Sequence, residues 1–331
     1  MKFLLTIIQA VGLGCASAAA GRRVLHYLQL ESYQLPGYVK SVRRNAMRAL
    51  IPPIAMAAVG VAALRLSGLT GLALLLEALT AALLVWQAAK EKAKKPFVAT
   101  ERVKRLLAVH AAVNTVLALA LLTVSPVLGY LLPAFEPALL MLAALIAAPM
   151  EKHIAGQFIK DAQARLAAQP GLIKIGITGS YGKTSTKFLL RDILSVKYNV
   201  LATPSSFNTP MGVTRVIREQ LTPAHRVFIA EMGARHVGDI RELVELVHPQ
   251  MGLITSVGPQ HLDTFGTIER VRDTKYELIE GLPKDGTAVF ARDGAICEAL
   301  FERCPLERKY KPGMLVDAKN VACGPWGTRF T

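Results

Sequence analysis

Residues 176–186 read GITGSYGKTST, and this stretch decides what the second half of the chain is. A short apolar, β-branched run at 172–178 precedes it and predicts a buried parallel strand. Residues 184–197 follow, with apolar side chains at Phe188, Leu189, Ile193 and Leu194, the spacing of a helix. A glycine-rich turn between a strand and a helix is the setting of a phosphate-binding loop. Its glycines let backbone N–H groups converge on phosphate oxygens at the helix N-terminus. Lys183 is placed to neutralise phosphate charge, and the Thr184 hydroxyl to ligate Mg2+. The loop departs from the common pattern. The position five before Gly182 is Ile177, and the glycines are Gly176, Gly179 and Gly182. On spacing alone, a tight strand–helix turn with a solvated lysine stays open.

Other strands repeat the theme. Residues 226–230 (RVFIA) end in Glu231, a carboxylate placed to hold Mg2+ beside such a loop. Residues 251–257 (MGLITSV) run into Gly258, Pro259, Gln260, His261, Leu262 and Asp263, and 287–291 is a further strand. Strands alternating with helices predict an open, mostly parallel α/β sheet with its site at the strand ends. Taken singly, His261 reads as a loop histidine, Lys275 as a solvated helix lysine and Asn208 as a turn residue.

The first 150 residues differ in kind. Over the 331-residue chain, 52% of residues are hydrophobic and only 19% charged, which points to a membrane component. Five apolar stretches, 2–20, 49–65, 69–89, 106–124 and 126–148, approach the roughly 20 residues that a bilayer requires. The second carries Pro52-Pro53 and is the least regular. An α-helical transmembrane bundle over 1–150, a linker helix over 151–171 and an α/β domain over 172–331 are therefore expected. Residues 2–20 read as a retained anchor, because the arginine pair Arg22-Arg23 follows the apolar run. Arg65 lies near a span end and can snorkel. Glu77 and Glu136 fall inside proposed spans, where a carboxylate must face a partner, a cavity or the bundle interior.

The net charge of +15 is uneven. Arg22, Arg23, Lys40, Arg43, Arg44 and Arg48 form one basic island; Lys90, Lys92, Lys94, Lys95, Arg102, Lys104 and Arg105 form another. Basic islands between apolar spans fit cytoplasmic loops beside anionic lipid. The lack of basic–aromatic interleaving argues against a nucleic-acid partner. An odd number of spans then puts residue 151 onward in the cytoplasm, where ATP is. Cys15, Cys297, Cys304 and Cys323 have no metal-ligand spacing and form no disulfide framework.

The sequence resembles the Mur ligase family of ATP-dependent ligases of peptidoglycan synthesis. The family's shortened loop, Thr-Gly-Ser-x-Gly-Lys-Thr-Ser, matches 178–185, which accounts for the departure at Ile177. The likeness continues through SFNTPMG (206–212), FIAEMGARHVGDI (228–240), HPQMGLITSVGPQHLDTFGT (248–267) and TKYELIEGLPKDGTAVF (274–290). It is most similar to the branch that adds D-alanyl-D-alanine to a UDP-N-acetylmuramoyl-tripeptide. The resemblance implies nucleotide binding by Thr178, Gly179, Ser180, Gly182, Lys183, Thr184, Ser185 and Asn208. It implies catalytic roles for Lys183, Glu231, His261 and Lys275. Thr184, Glu231, His261 and a carbamylated Lys275 would be the Mg2+ ligands.

Two parts of the family's pattern are missing. Apolar stretches stand where a uridine-nucleotide domain is expected, and the sequence stops at GPWGTRFT, inside what the resemblance makes the central ATPase domain. A truncated ligase is therefore expected, with sheet edges left unpaired and prone to aggregate. The expected partners are ATP, a UDP-linked or lipid-linked muramoyl-peptide precursor, a dipeptide or amino-acid acceptor, membrane lipid and other cell-wall proteins. Two alternatives stay open: a membrane-tethered nucleotide-binding scaffold, and a related folylpolyglutamate- or cyanophycin-type ligase.

Overall fold

The computed structural model describes residues 2–91, 96–205, 207–314, 320, 322–325, 327–329 and 331. Lys92, Lys94, Lys95, Ser206, Trp326 and Phe330 lie outside the described residues, as does the side chain of Cys323. The chain divides into two compact units, Met1–His153 and Ile154–Thr331.

The first unit is all helix: α1 (Lys2–Ala20), α2 (Arg22–Leu30), α3 (Leu35–Arg44), α4 (Ala46–Ser67), α5 (Thr70–Lys90), α6 (Glu101–Val124) and α7 (Pro126–Tyr130). A 3-10 turn, Leu132–Phe135, leads into α8 (Glu136–Ala167), within which the unit boundary falls. Five helical segments are long and apolar enough to cross a membrane by length and composition: Phe3–Ala20, Ala46–Ser67, Thr70–Lys90, Glu101–Val124 and Leu132–Ala167. The fifth corrects the expected stretch at 126–148. Pro126, Pro133 and Pro137 each sit at or near the start of a new helical piece, where a missing N–H costs nothing. A separate linker helix over 151–171 is also corrected, since α8 continues through Pro149 to Ala167.

Small residues let these helices approach closely. A Cβ on Gly14 would lie 2.6 Å from the Thr115 backbone nitrogen, so α1 and α6 touch backbone to backbone there. The Thr100 hydroxyl caps α6 by accepting from the Val103 N–H at 3.3 Å. Glu77, inside α5, and Glu136, the first residue of α8, are both fully buried. Glu136 Oε1 accepts from the Ser17 hydroxyl at 2.5 Å, and its Oε2 lies 3.0 Å from His110 Nε2, off the line of a hydrogen bond. Both oxygens of Glu77 lack a partner.

The second unit is a doubly covered parallel sheet, laid down as β1 (Ile173–Thr178), α9 (Lys183–Leu194), β2 (Val200–Ala202), α10 (Pro210–Gln220), β3 (Val227–Glu231), α11 (Asp239–Val247) and β4 (Met251–Ile254). Then come α12 (Leu262–Phe265), α13 (Ile268–Glu280), β5 (Thr287–Phe290), α14 (Gly294–Arg303) and β6 (Arg308–Tyr310). The order β2-β3-β1-β4-β5-β6 puts β1 in the middle, paired in parallel with β3 and β4. Ile177 aligns with Glu231 and Leu253, so the strand carrying the loop ends level with the strand carrying the carboxylate. A short antiparallel pair, β7 (Ala322–Gly324) and β8 (Gly327–Arg329), stands apart from the sheet.

One face of the sheet packs Phe228, Ala230, Ile254 and Phe290 into the main core, against Leu278 of α13 among others; the other packs Ile175, Ile177, Val227 and Ile229 under α9. The face α9 uses is only partly the expected one, since of the four apolar positions read from spacing Leu194 packs inward but Leu189 and Ile193 do not. Leu190 and Leu194 pack inward and Lys187 is buried with them, while Leu189 and Ile193 are exposed.

Candidate nucleotide-phosphate site

The loop between β1 and α9 is held from behind by the segment after β4. Ser180 N–H donates to the Ser256 carbonyl at 2.9 Å, and Tyr181 N–H to the Ser256 hydroxyl at 2.6 Å. The Ser180 hydroxyl donates to the Gly258 carbonyl at 3.0 Å and accepts from the Gly258 N–H at 2.9 Å. Gly179 must be glycine: its φ is +150°, and a Cβ would press on Thr255 and the Ser256 backbone. Gly182 turns into α9 with φ +79°. Thr178 is structural, its hydroxyl donating to the Met232 carbonyl at 2.9 Å. Ser185 is exposed on the first turn of α9.

Lys183 folds back on its own loop, donating to the carbonyls of Gly179 (2.5 Å) and Ser180 (3.2 Å). Burial lowers the pKa of its ammonium, with Glu231 opposing that shift. Glu231 is buried at the end of β3 and gathers three donors, two from α9 and one from the loop before α10. The Thr184 hydroxyl reaches Oε2 at 3.0 Å, the Lys187 ammonium reaches the same oxygen at 2.8 Å, and the Asn208 amide reaches Oε1 at 3.1 Å. Behind it, the Glu231 N–H donates to the Thr203 hydroxyl at 3.0 Å. Asn208 is fixed in turn, because its carbonyl accepts the Gly233 N–H at 2.9 Å and a Cβ on Gly233 would crowd its side chain.

Lys275 on α13 is buried and has no hydrogen bond or ion pair among the described residues. Burial, reinforced by Lys183, pushes its pKa down to about 8, with Asp239 and Glu277 opposing. Glu277 is engaged elsewhere, accepting the N–H groups of Gly238 and Arg241 at the start of α11. His261 has a left-handed backbone (φ 55°) ahead of α12, and its ring is exposed. Burial and the nearby charges of Arg235 and Lys275 lower its pKa.

The expected residues therefore separate into two sets. Thr184, Asn208 and Glu231 share direct bonds. His261 and Lys275 lie within electrostatic reach of Lys183 without bonding to that group. Among the described residues no three His, Cys, Asp or Glu side chains form a metal-binding group. A hydroxyl and a carboxylate 3.0 Å apart still suit a hard divalent cation, which takes oxygen donors. Lys187 was not anticipated. An open cavity of about 360 Å3 adjoins the loop at the ends of β4, β5 and β6, lined by Thr186, Leu253, Thr255, Phe290, Tyr310 and Lys311.

A central parallel strand, a glycine loop opening a helix and an acidic side chain ending the neighbouring strand define a phosphate-loop α/β unit. Residues 177–315 match the Mur ligase middle domain, and the chain carries that domain. It is 40% identical over 130 residues to the UDP-N-acetylmuramoyl-tripeptide--D-alanyl-D-alanine ligase of Mycobacterium tuberculosis (strain ATCC 25618 / H37Rv), covering 39% of this chain and 25% of that protein. It is 30% identical over 158 residues to the Escherichia coli (strain K12) enzyme of the same name, covering 46% of this chain and 35% of that one. The chain thus spans about a third or less of the curated relatives it matches. The solved MurF ligase from Thermotoga maritima in complex with ADP gives a TM-score of 0.47 at 28% identity, over 53% of this chain and 41% of that one.

Proposed function

We propose that the phosphate-loop unit binds ATP for a membrane-anchored ligase that adds D-alanyl-D-alanine to a UDP-N-acetylmuramoyl-tripeptide. The convergence of Thr184 and Asn208 on the buried Glu231 carboxylate, beside Lys183, carries this reading. The names of the relatives support the substrates.

A carboxylate is a poor acyl donor because its leaving group would be oxide. Its oxygen attacks the γ-phosphorus of ATP, the bond to ADP breaks, and an acyl phosphate forms. The acceptor amine adds to that carbonyl carbon and loses a proton, and phosphate leaves. Such chemistry needs placement and charge neutralisation more than a protein nucleophile. Lys183 leaves the Gly179 and Ser180 carbonyls for the phosphates, and Asn208 orients toward the transferred group. Thr184 and Glu231 would hold a Mg2+ ion, which would supply neutralisation of phosphate charge. His261 and Lys275, the latter as a carbamate formed with CO2, would hold a second Mg2+. The cavity beside Thr186 accommodates the nucleoside.

In the same reading α1, α4, α5, α6 and α8 cross the plasma membrane of a bacterium, and the ligase unit lies in the cytoplasm. Their outward apolar side chains, such as Leu75, Leu79, Trp86, Val116 and Ile146, support this, as do the basic islands between them.

The test is phosphate release from Mg-ATP by the full-length gene product in membranes, with and without both substrates. Release should require both and should fall about tenfold or more in Glu231→Ala, the scale of losing one preorganised charge contact. Release indifferent to Glu231 would sink the reading. No release at all would favour a tethered nucleotide-binding scaffold.

A further inference from the structure

Lys187 is fully buried, an unusual place for a lysine. It lies one helical turn beyond Lys183, on the same face of α9. Its ammonium donates to Glu231 Oε2 at 2.8 Å and to the Ser205 carbonyl at 2.6 Å, and it stands 4.6 Å from the centre of the Phe188 ring. Oε2 also accepts from Thr184 at 3.0 Å, and Oε1 accepts one bond from Asn208. Both acceptor directions of Oε2 are thus filled, one of them by a full positive charge. A divalent cation seated against Thr184 and Glu231 would meet that ammonium across a single oxygen. Two cations so placed in a buried site repel strongly.

We propose that Lys187 is a positioning residue that holds Glu231 before nucleotide arrives and gives it up to the divalent cation, so that metal entry is an exchange of cations. This rests on Glu231 being the metal-binding carboxylate of the proposed function. The exchange explains why a lysine is retained where the core otherwise takes leucine. Without a counter-charge, Glu231 would be a lone buried carboxylate whenever the site is empty. With one that could not leave, it would bind metal poorly. A lysine stem has the freedom for both, and the Ser205 carbonyl keeps a resting partner for the ammonium.

The test uses the full-length protein and Mn2+ as the probe, with bound ion counted by electron paramagnetic resonance in the presence of ADP. Lys187→Met removes the competing charge at similar length. Its Glu231-dependent Mn2+ affinity should rise about tenfold, the scale of one lost like-charge contact in a partly shielded site. Lys187→Arg should act oppositely, because a guanidinium grips a carboxylate with two bonds and is harder to displace. Its Mn2+ affinity should fall severalfold. A purely structural lysine would change melting temperature in both variants and Mn2+ affinity in neither, and that result overturns the exchange. Glu231→Gln is the blank. If it binds Mn2+ as the wild type does, the metal assignment fails and the exchange with it. Should Lys187→Met not fold, Lys187→Arg decides alone, since an unchanged affinity there also overturns the proposal.

Discussion

Lys275→Met should stabilise the α/β unit at pH 7 while removing the proposed ligase activity. Lys275 is buried, and its pKa falls from 10.5 to about 8. Between those values the unfolded chain holds a proton that the folded one has lost, so stability rises with pH across that window. The cost is fully present below pH 8 and fades toward pH 10.5. A shift of that size corresponds to about 3 kcal/mol. Methionine keeps the length and removes the charge, so a gain of about 1–3 kcal/mol is expected at pH 7, vanishing near pH 10.5. Hydrogen exchange of the β1 and β3 amides, at pH 7 and pH 10, reads the unit inside the whole protein. A variant less stable at pH 7 would contradict the cost assigned to this ammonium. A protein that keeps such a residue is trading stability for chemistry. The same low pKa leaves an appreciable fraction of neutral amine near pH 7, the form that attacks CO2. The proposed carbamate would be an anion, which would suit the electropositive surroundings of Lys183 far better than a second ammonium. Phosphate release should therefore fall about a hundredfold in Lys275→Met, the scale of a lost charge-stabilising group, and about as far in Lys275→Arg. Activity retained in Lys275→Arg would exclude the carbamate.

The strands were legible because a buried parallel strand reads as an unbroken apolar run. The stretches at 172–178, 226–230, 251–257 and 287–291 became Ile173–Thr178, Val227–Glu231, Met251–Ile254 and Thr287–Phe290. The loop was legible because Gly179 and Gly182 sit where the backbone itself demands glycine. Glu231 was legible from its place at a strand end; its direct bonds to Thr184 and Asn208 were not, because they depend on how the strand end, the helix and the loop meet in space. Lys187 was not, for a definite reason. Patterns treat lysine as a solvent-facing residue, so the apolar face of α9 reads as Phe188, Leu189, Ile193 and Leu194, of which Leu194 packs inward beside Leu190 and Lys187 while Leu189 and Ile193 face out. Only the neighbour across the sheet, Glu231, makes a buried lysine sensible there. The burial of Lys275 was hidden for the same reason. In the helical unit, hydropathy marks apolar stretches but not helix breaks. The run at 126–148 looks uniform because prolines are averaged into the window, and Pro149 looks like a stop although α8 passes through it.

Hydropathy also could not tell Glu77 and Glu136 apart, and they should respond oppositely to substitution. Glu136 belongs to a polar cluster joining three helices: Ser17 on α1, His110 on α6 and Glu136 at the head of α8, all fully buried. Asn114, one turn beyond His110, donates to the His110 carbonyl at 2.9 Å. Removing one member changes the surroundings of the others. Glu136→Leu leaves the buried Ser17 hydroxyl without its acceptor and the His110 ring without the carboxylate beside it; His110→Leu removes the imidazole 3.0 Å from Oε2 of Glu136. Each should cost about 1–3 kcal/mol, the penalty for a buried polar group left uncompensated. The double variant should cost less than the sum of the two, since removing both partners leaves less to strand. Glu77 makes no such bond, and Gly60 packs directly against its carboxyl group. Its desolvation is uncompensated, so Glu77→Leu should be neutral or stabilising. Unfolding midpoints of all four variants in detergent or lipid discs make the comparison. Glu136→Leu unfolding like the wild type would show that the cluster holds nothing together. Glu77→Leu losing as much as Glu136→Leu would show that its carboxyl group has a partner outside the described residues, and would make it the first place to look for what the helices bind.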